Sequence, residues 1–486
     1  MKYIISIDQS TQATKAILFD GTGKFIKRVD RKHRQIISEE GYVSHNPNEI
    51  YQNVVALIGE LITTTKIQTE YIVALAITNQ RETTVMWDKN GQPLADAVVW
   101  QCSRAKDIAE KYAAFSNRIK DITGLQLSPY FPACKMRWLI DHVKPKTDYC
   151  MGTIDSWLIY KLTKGRSFKT DTTNASRTQL YDIHAGVWSD ELCDLFGIEK
   201  SHLAEINDCN AIFGYTDIEG ILPIAIPITG VMGDSHAALF GHGCIHEGQV
   251  KTTLGTGSSI MMNIGTEVKH SSNGLVTSVA YSMDGIRTFA IEGNVNYAGA
   301  VITWLQNDLQ LIKNANETEE IIKDSNKNDK TVLVPAFTGL GAPYWNAQAK
   351  AMFYGMSCTT TWKELVKASV ESIAYQITDV LNAMVSDTGI SIKEVKTDGG
   401  PSRNKYLMQF LAETSRKSVY VSSVEELSAI GVAYMSGISL GLYKQEELFK
   451  QNRYEVSKYH LSKSDWREII DRWNEAIHLI QKNHNE

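Results

Sequence analysis

No stretch of this sequence stays apolar long enough to cross a membrane: residues 221–232 come nearest, and Pro223, Pro227 and Gly230 interrupt them. The opening MKYIISIDQS reaches an acid at Asp8, which leaves no room for the apolar segment of a secretory signal. There is no CxxC pair. The seven cysteines are odd in number and widely spaced, against both a disulfide framework and a zinc site. Basic residues are not in excess. Lys and Arg total 50 against 55 for Asp and Glu, a net charge of -5, so no electrostatic footprint for nucleic acid is present. No GxxxxGK[ST] occurs, which excludes a P-loop. The expectation is a soluble, cytoplasmic protein with no nucleic-acid and no membrane partner.

What is present is length and alternation. A chain of 486 residues exceeds one hydrophobic core, so two large domains are expected. Strands are expected at 3–7, 15–19 and 24–28, with the polar turn Asp8-Gln9-Ser10-Thr11 between the first two. Strands at 71–77 and 84–87 flank a polar tip, Thr78-Asn79-Gln80-Arg81-Glu82. Helices at 47–62, 134–142 and 156–162 alternate with these, which points to α/β layers. The pattern then restarts: a strand at 248–254, the turn Gly255-Thr256-Gly257-Ser258-Ser259, and a returning strand at 260–263. Two such openings suggest an internal duplication without a long sequence repeat. The expected division is 1–244 and 245–486, with a ligand cleft between them.

Turns made of Gly, Ser and Thr let backbone N–H groups approach phosphate oxygens. Asp8 is suited to a magnesium ion through water, Thr11 and Lys15 to phosphates, and Thr256 to phosphates from the second half. Each turn alone reads as a plain hairpin. A third stretch, residues 395–404, ends a strand in Asp398-Gly399-Gly400, where a flat adenosine can approach the backbone. Read by itself it is a tight turn before a helix. Asp234 follows Gly233 at a strand end. It suits a general base for a hydroxyl, and alone it reads as a helix N-cap. Arg81 and Glu82 are neighbours and would face opposite ways on a strand, so both serve one substrate only from an irregular tip; otherwise they are a surface pair. Arg81 offers forked donors and Glu82 only acceptors. The twelve histidines are expected mostly in solvent or core, and His236, beside Asp234, is the one candidate for a substrate contact.

Two long gapped stretches carry a resemblance. One is Tyr130-Phe131-Pro132-Ala133-Cys134-Lys135-Met136-Arg137-Trp138-Leu139-Ile140-Asp141-His142. The other runs from Ala351 through Phe353 and Gly355-Met356 to Glu371. From Tyr3 to about Tyr443 the chain resembles the FGGY carbohydrate kinases of the actin, Hsp70 and sugar-kinase superfamily. The resemblance implies an α/β fold of two ribonuclease H-like domains flanking a deep cleft, ATP and Mg2+, and phosphoryl transfer to a hydroxyl. A homodimer is common in that family.

Thr78 to Thr84, Val99-Trp100-Gln101, Gly152 to Asp155, Thr173 to Thr178 and Gly341 to Trp345 look like glycerol kinases. This implies Asp234 as catalytic base, Arg81, Glu82, Tyr130 and Asp234 at the substrate hydroxyls, and Trp100 on its carbon face. ATP would meet Thr11, Lys15, Thr256, Gly299, Gly400 and Asn404, with the metal at Asp8. Two departures stand out: Ser235 replaces the usual Gln after the Asp, and Ser259 replaces an aromatic residue. Both make the pocket larger and more polar. Lys15 and Asn294-Val295-Asn296 look more like gluconate and xylulose kinases, and Ser10 stands where the family has Gly. The expected substrate is therefore a sugar acid or polyol, gluconate first, contacting Ser235. Glycerol is the alternative, and a non-catalytic ATP clamp is the second.

Overall fold

Ile4, Ile5 and Ile7 are all fully buried, the mark of a strand covered on both faces. In the computed structural model, which describes residues 2–450, 456–459 and 467–482, they lie on β1 (Tyr3–Gln9) within a six-stranded sheet. β2 (Ala13–Asp20) and β3 (Phe25–Lys32) follow as an antiparallel meander. On the other side β4 (Ile72–Asn79) runs parallel to β1, β5 (Ile212–Thr216) forms the far edge, and β6 (Ile226–Gly233) lies between them, parallel to β4.

A seven-stranded sheet repeats the plan. β7 (Gln249–Leu254) and β8 (Ser258–Asn263) form its hairpin. β9 (Val276–Met283) and β10 (Ile286–Val295) continue it antiparallel, with β10 beside β8. β11 (Glu394–Asp398) and β12 (Val419–Ser422) lie in parallel beyond β7, and β13 (Val456–Tyr459) closes the edge. The first sheet thus holds three antiparallel strands followed by two parallel ones, and the second holds four antiparallel strands followed by two parallel ones. The duplication suspected from two strand–turn–strand openings is visible in topology.

Two local expectations change. Asp8 lies inside β1, and the turn is shorter, closed by the Ser10 N–H on the Ala13 carbonyl at 2.9 Å. The strand after the polar tip, Thr84–Asp88, pairs in a separate five-stranded sheet, so the tip joins two sheets.

The helices follow their local signals. α1 (Pro47–Thr65) starts where the Asn46 side chain accepts from the N–H groups of Asn48 and Glu49, with Pro47 in its first turn. Its buried stripe of Ile50, Val54, Leu57, Ile58 and Leu61 has helical spacing and packs against β2. α2 (Thr172–Ala175) is one turn capped by Asp171. α3 (Asp234–Gly241) begins at Asp234, because Gly233 takes the cap position. α4 (Trp362–Thr388) opens on a Thr361/Glu364 capping box and stops at Gly389, φ 69°. α5 (Lys405–Ser415) follows β11, capped by Asn404. α6 (Leu427–Ser439) is buried on almost every face. It returns from the second half to pack on β1, β4, β6 and α3. No helix among the described residues is long and apolar enough to cross a membrane.

Candidate active site

β4 ends at Asn79, and the chain must turn. Gln80 donates its N–H to the Gln9 carbonyl and its side-chain amide to the Gln9 side chain, 3.0 Å away. Glu82 then adopts φ 60°, a left-handed conformation that is costly for any residue with a Cβ and persists only where surroundings fix it. This is the irregular tip that lets neighbours Arg81 and Glu82 share one site. Arg81 donates from both Nη atoms to Glu292, at 3.0 and 2.8 Å, and its Nε lies 3.3 Å from Asp234 Oδ1. Arg177 donates to Glu82 at 2.6 Å and lies 2.8 Å from Glu292.

Glu292, on β10, is fully buried. Ser259 Oγ donates to it at 3.3 Å and accepts from the Lys251 ammonium at 3.1 Å. Burial alone would raise the Glu292 carboxyl, but Arg81 and Arg177 more than reverse that and hold it well below the carboxylate range. Neither Glu292 nor Arg177 carried a role in the sequence reading. The available signal for Glu292 was a lone acid within the apolar run 288–295.

Asp234 opens α3, its side chain 37% exposed. Its carboxyl is raised above the ordinary value. Burial is the main cause, Arg81 opposes it, and Glu82 adds to it. The Ser235 N–H donates to Asp234 Oδ1 at 2.6 Å. Gly233 cannot be larger, because a Cβ there would lie 2.7 Å from Arg81 Cγ. Trp100 and Tyr130 meet edge-on at 5.6 Å, forming an aromatic wall. The Trp100 indole N–H is committed to Thr11 Oγ1, 2.9 Å away. His236 does not face the cleft. It is fully buried with Nε2 3.0 Å from Ser278 Oγ, and burial first, then Arg81, keep it neutral.

A cavity of about 650 Å³ opens in the other half. Thr256, Gly299, Gly400 and Asn404 all line it. Thr11 and Lys15 do not. Gly399 is glycine by necessity: φ is 92° and a Cβ would fall 2.0 Å from the Leu254 carbonyl oxygen. Gly400 has no such constraint, and a Cβ there would meet nothing within 4 Å. That open face suits a flat base laid against the backbone.

The sequence matches the models of the FGGY family of carbohydrate kinases, the N-terminal domain over residues 3–241 and the C-terminal domain over 250–440. The chain belongs to the FGGY carbohydrate kinases. It is thus an ATP-dependent phosphotransferase with an alcohol group as acceptor, and the ATP-clamp alternative falls away. It is 43% identical to glycerol kinase 1 of Thermotoga maritima, across 98% of this chain and 99% of that one. It is 39% identical to a glycerol kinase of Clostridium beijerinckii, across 98% of both. The crystal structure of Plasmodium falciparum glycerol kinase with ADP superposes with a TM-score of 0.93 at 33% identity, covering 99% of this chain and 98% of that one. A gluconate kinase structure from Lactobacillus acidophilus shares the fold, with a TM-score of 0.88 at 21% identity over 100% and 98% of the two chains.

In the same half as Asp234, Lys15 bridges Asp8 at 3.1 Å and Glu426 at 2.9 Å, and Arg28 also pairs with Glu426. Lys15 is thus held as a charged ammonium between two acids. Burial raises the Asp8 carboxyl and Lys15 opposes the rise. No group of three metal-ligating side chains occurs among the described residues. A single buried carboxylate still fits magnesium, which keeps most of its water and takes other ligands from phosphates.

Proposed function

We propose that this kinase phosphorylates glycerol, with Asp234 as the base. The observation that carries the choice is the saturation of Arg81. Both of its Nη atoms are spent on Glu292, so no free guanidinium fork waits for the carboxylate of a sugar acid. A neutral polyol needs hydroxyl partners only, and Glu82, Asp234 and the half-buried Trp100–Tyr130 wall supply acceptors and a carbon face. The glycerol kinases at 43% and 39% identity support the same reading over gluconate.

In this reading the acceptor binds in the half before residue 245 and the adenosine in the half after it, on Thr256, Gly299, Gly400 and Asn404. Asp234 takes the hydroxyl proton as the oxygen–phosphorus bond forms and ADP departs. Ser235 and Tyr130 border the acceptor. Magnesium, held through water by Asp8, would neutralise phosphate charge. An ADP-release assay with glycerol, gluconate, erythritol, ribitol and xylulose tests the choice. The highest kcat/KM is expected for glycerol, and a preference for gluconate would overturn it.

A further inference from the structure

The parallel ladder between β4 and β6 ends at the pair Asn79 and Gly233. Beyond it the two chains part, one toward Arg81 and one into Asp234. No backbone pairing holds them there, yet Arg81 Nε stays 3.3 Å from Asp234. A single buried turn, α2, touches both strand ends at that point. Thr173 Oγ1 accepts the Gly233 N–H at 2.8 Å. Asn174 exchanges two amide hydrogen bonds with Asn79, each 3.0 Å. Asn79, Thr173 and Asn174 are all fully buried.

The turn itself is pinned from below. Asp171 accepts the Thr173 N–H at 2.7 Å, the Asn174 N–H at 3.1 Å and the Asn174 side-chain amide at 2.8 Å. Cys209 Sγ lies 3.3 Å from the same carboxylate. Every polar atom of Asn174 that meets Asn79 or Asp171 is thus committed to a rigid partner. Buried networks of this kind define one geometry, since a missing partner leaves an unsatisfied polar group.

We propose that Thr173 and Asn174 are positioning residues that set the distance between Arg81 and Asp234. Neither needs to touch substrate. The proposal rests on the reading of Asp234 as base, and its test separates the two. In Thr173→Val the shape is kept and the acceptor for Gly233 is lost. Misplacement of reacting groups by about 1 Å costs up to about 100-fold. Thr173→Val is therefore expected to lower kcat with glycerol by about 10- to 100-fold, leaving KM for ATP unchanged, because the adenosine cavity lies in the other half. Thr173→Ser, which restores the hydroxyl, is expected to recover most of kcat.

Asp234→Asn is measured in parallel. If it turns over normally, the base assignment fails. If it is inactive while folded Thr173→Val keeps wild-type kcat, the positioning role alone is overturned. Loss of kcat in Thr173→Val without recovery in Thr173→Ser also overturns it. Should Thr173→Val not fold, Asn174→Ser, which removes the Asn79 exchange without adding bulk, is read by the same kcat-against-KM split.

Discussion

Asp234 occupies the first position of α3 with Arg81 3.3 Å away and Glu82 close behind. Its raised carboxyl pKa means that it holds its proton to a higher pH than a free aspartate. A base works only when deprotonated, so activity is lost as pH falls through that raised value. The acid limb of kcat/KM is expected above the ordinary 3.8, and Asp234→Asn should lower kcat by about 10²–10⁴-fold. A limb at or below 3.8, or a fully active Asn variant, would remove Asp234 from the role. Arg81 and Glu82 stood out as adjacent charges at a polar tip, whereas Asp234 read alone is a helix N-cap and drew its role as base only from the resemblance. Glu292 was not legible, since its partner Arg81 is 211 positions away and pairing of that kind leaves no local trace. The bond of Trp100 to Thr11 was not legible either, since it depends on tertiary approach. Lys15 is the converse case: its charge was readable, and the acid from Glu426 that occupies it was not.

At the scale of elements, α3 is held by α6 through two glycines. A Cβ on Gly431 would fall 1.9 Å from the Ala237 carbonyl oxygen, and one on Gly241 would fall 2.2 Å from that of Leu427. The backbones touch, so α3 cannot shift without moving Asp234. Gly431→Ala is expected to destabilise the fold by about 1–3 kcal/mol, as overpacking does, and to lower kcat at saturating substrates. Urea unfolding and turnover measured on the same sample check both. Unchanged stability would show that the helices part freely. The hairpins and α1 were readable because their signals are local, Pro47 opening α1; α4, bounded by Thr361 with Glu364 and by Gly389, was not expected although its signals are equally local. The return of α6 was not readable. LSAIGVAYMSGIS is apolar on all sides, which declares burial without naming the sheet that buries it.

Across the whole molecule, the two repeated sheets meet at charged contacts as well as through α6. Lys396, on β11, donates to the His242 carbonyl at the end of α3, and Asp398 lies 3.4 Å from the His242 ring. The larger clasp is Glu292, which reaches from β10 to two arginines of the first half, Arg81 and Arg177. Its carboxylate is fully buried, so water cannot replace a lost partner. Glu292→Gln keeps the shape and removes the charge, leaving two guanidinium groups against Glu82 and the half-open Asp234. Breaking a buried ion pair from one side typically costs about 3–5 kcal/mol, far above the roughly 0–1 kcal/mol of a surface pair. The variant is expected to lose stability in the first range by urea unfolding and to bind glycerol more weakly, because Arg81 is no longer held at the tip. A loss under about 1 kcal/mol would mean that the arginines find other partners, and that α6 and the His242 contacts hold the halves together without Glu292.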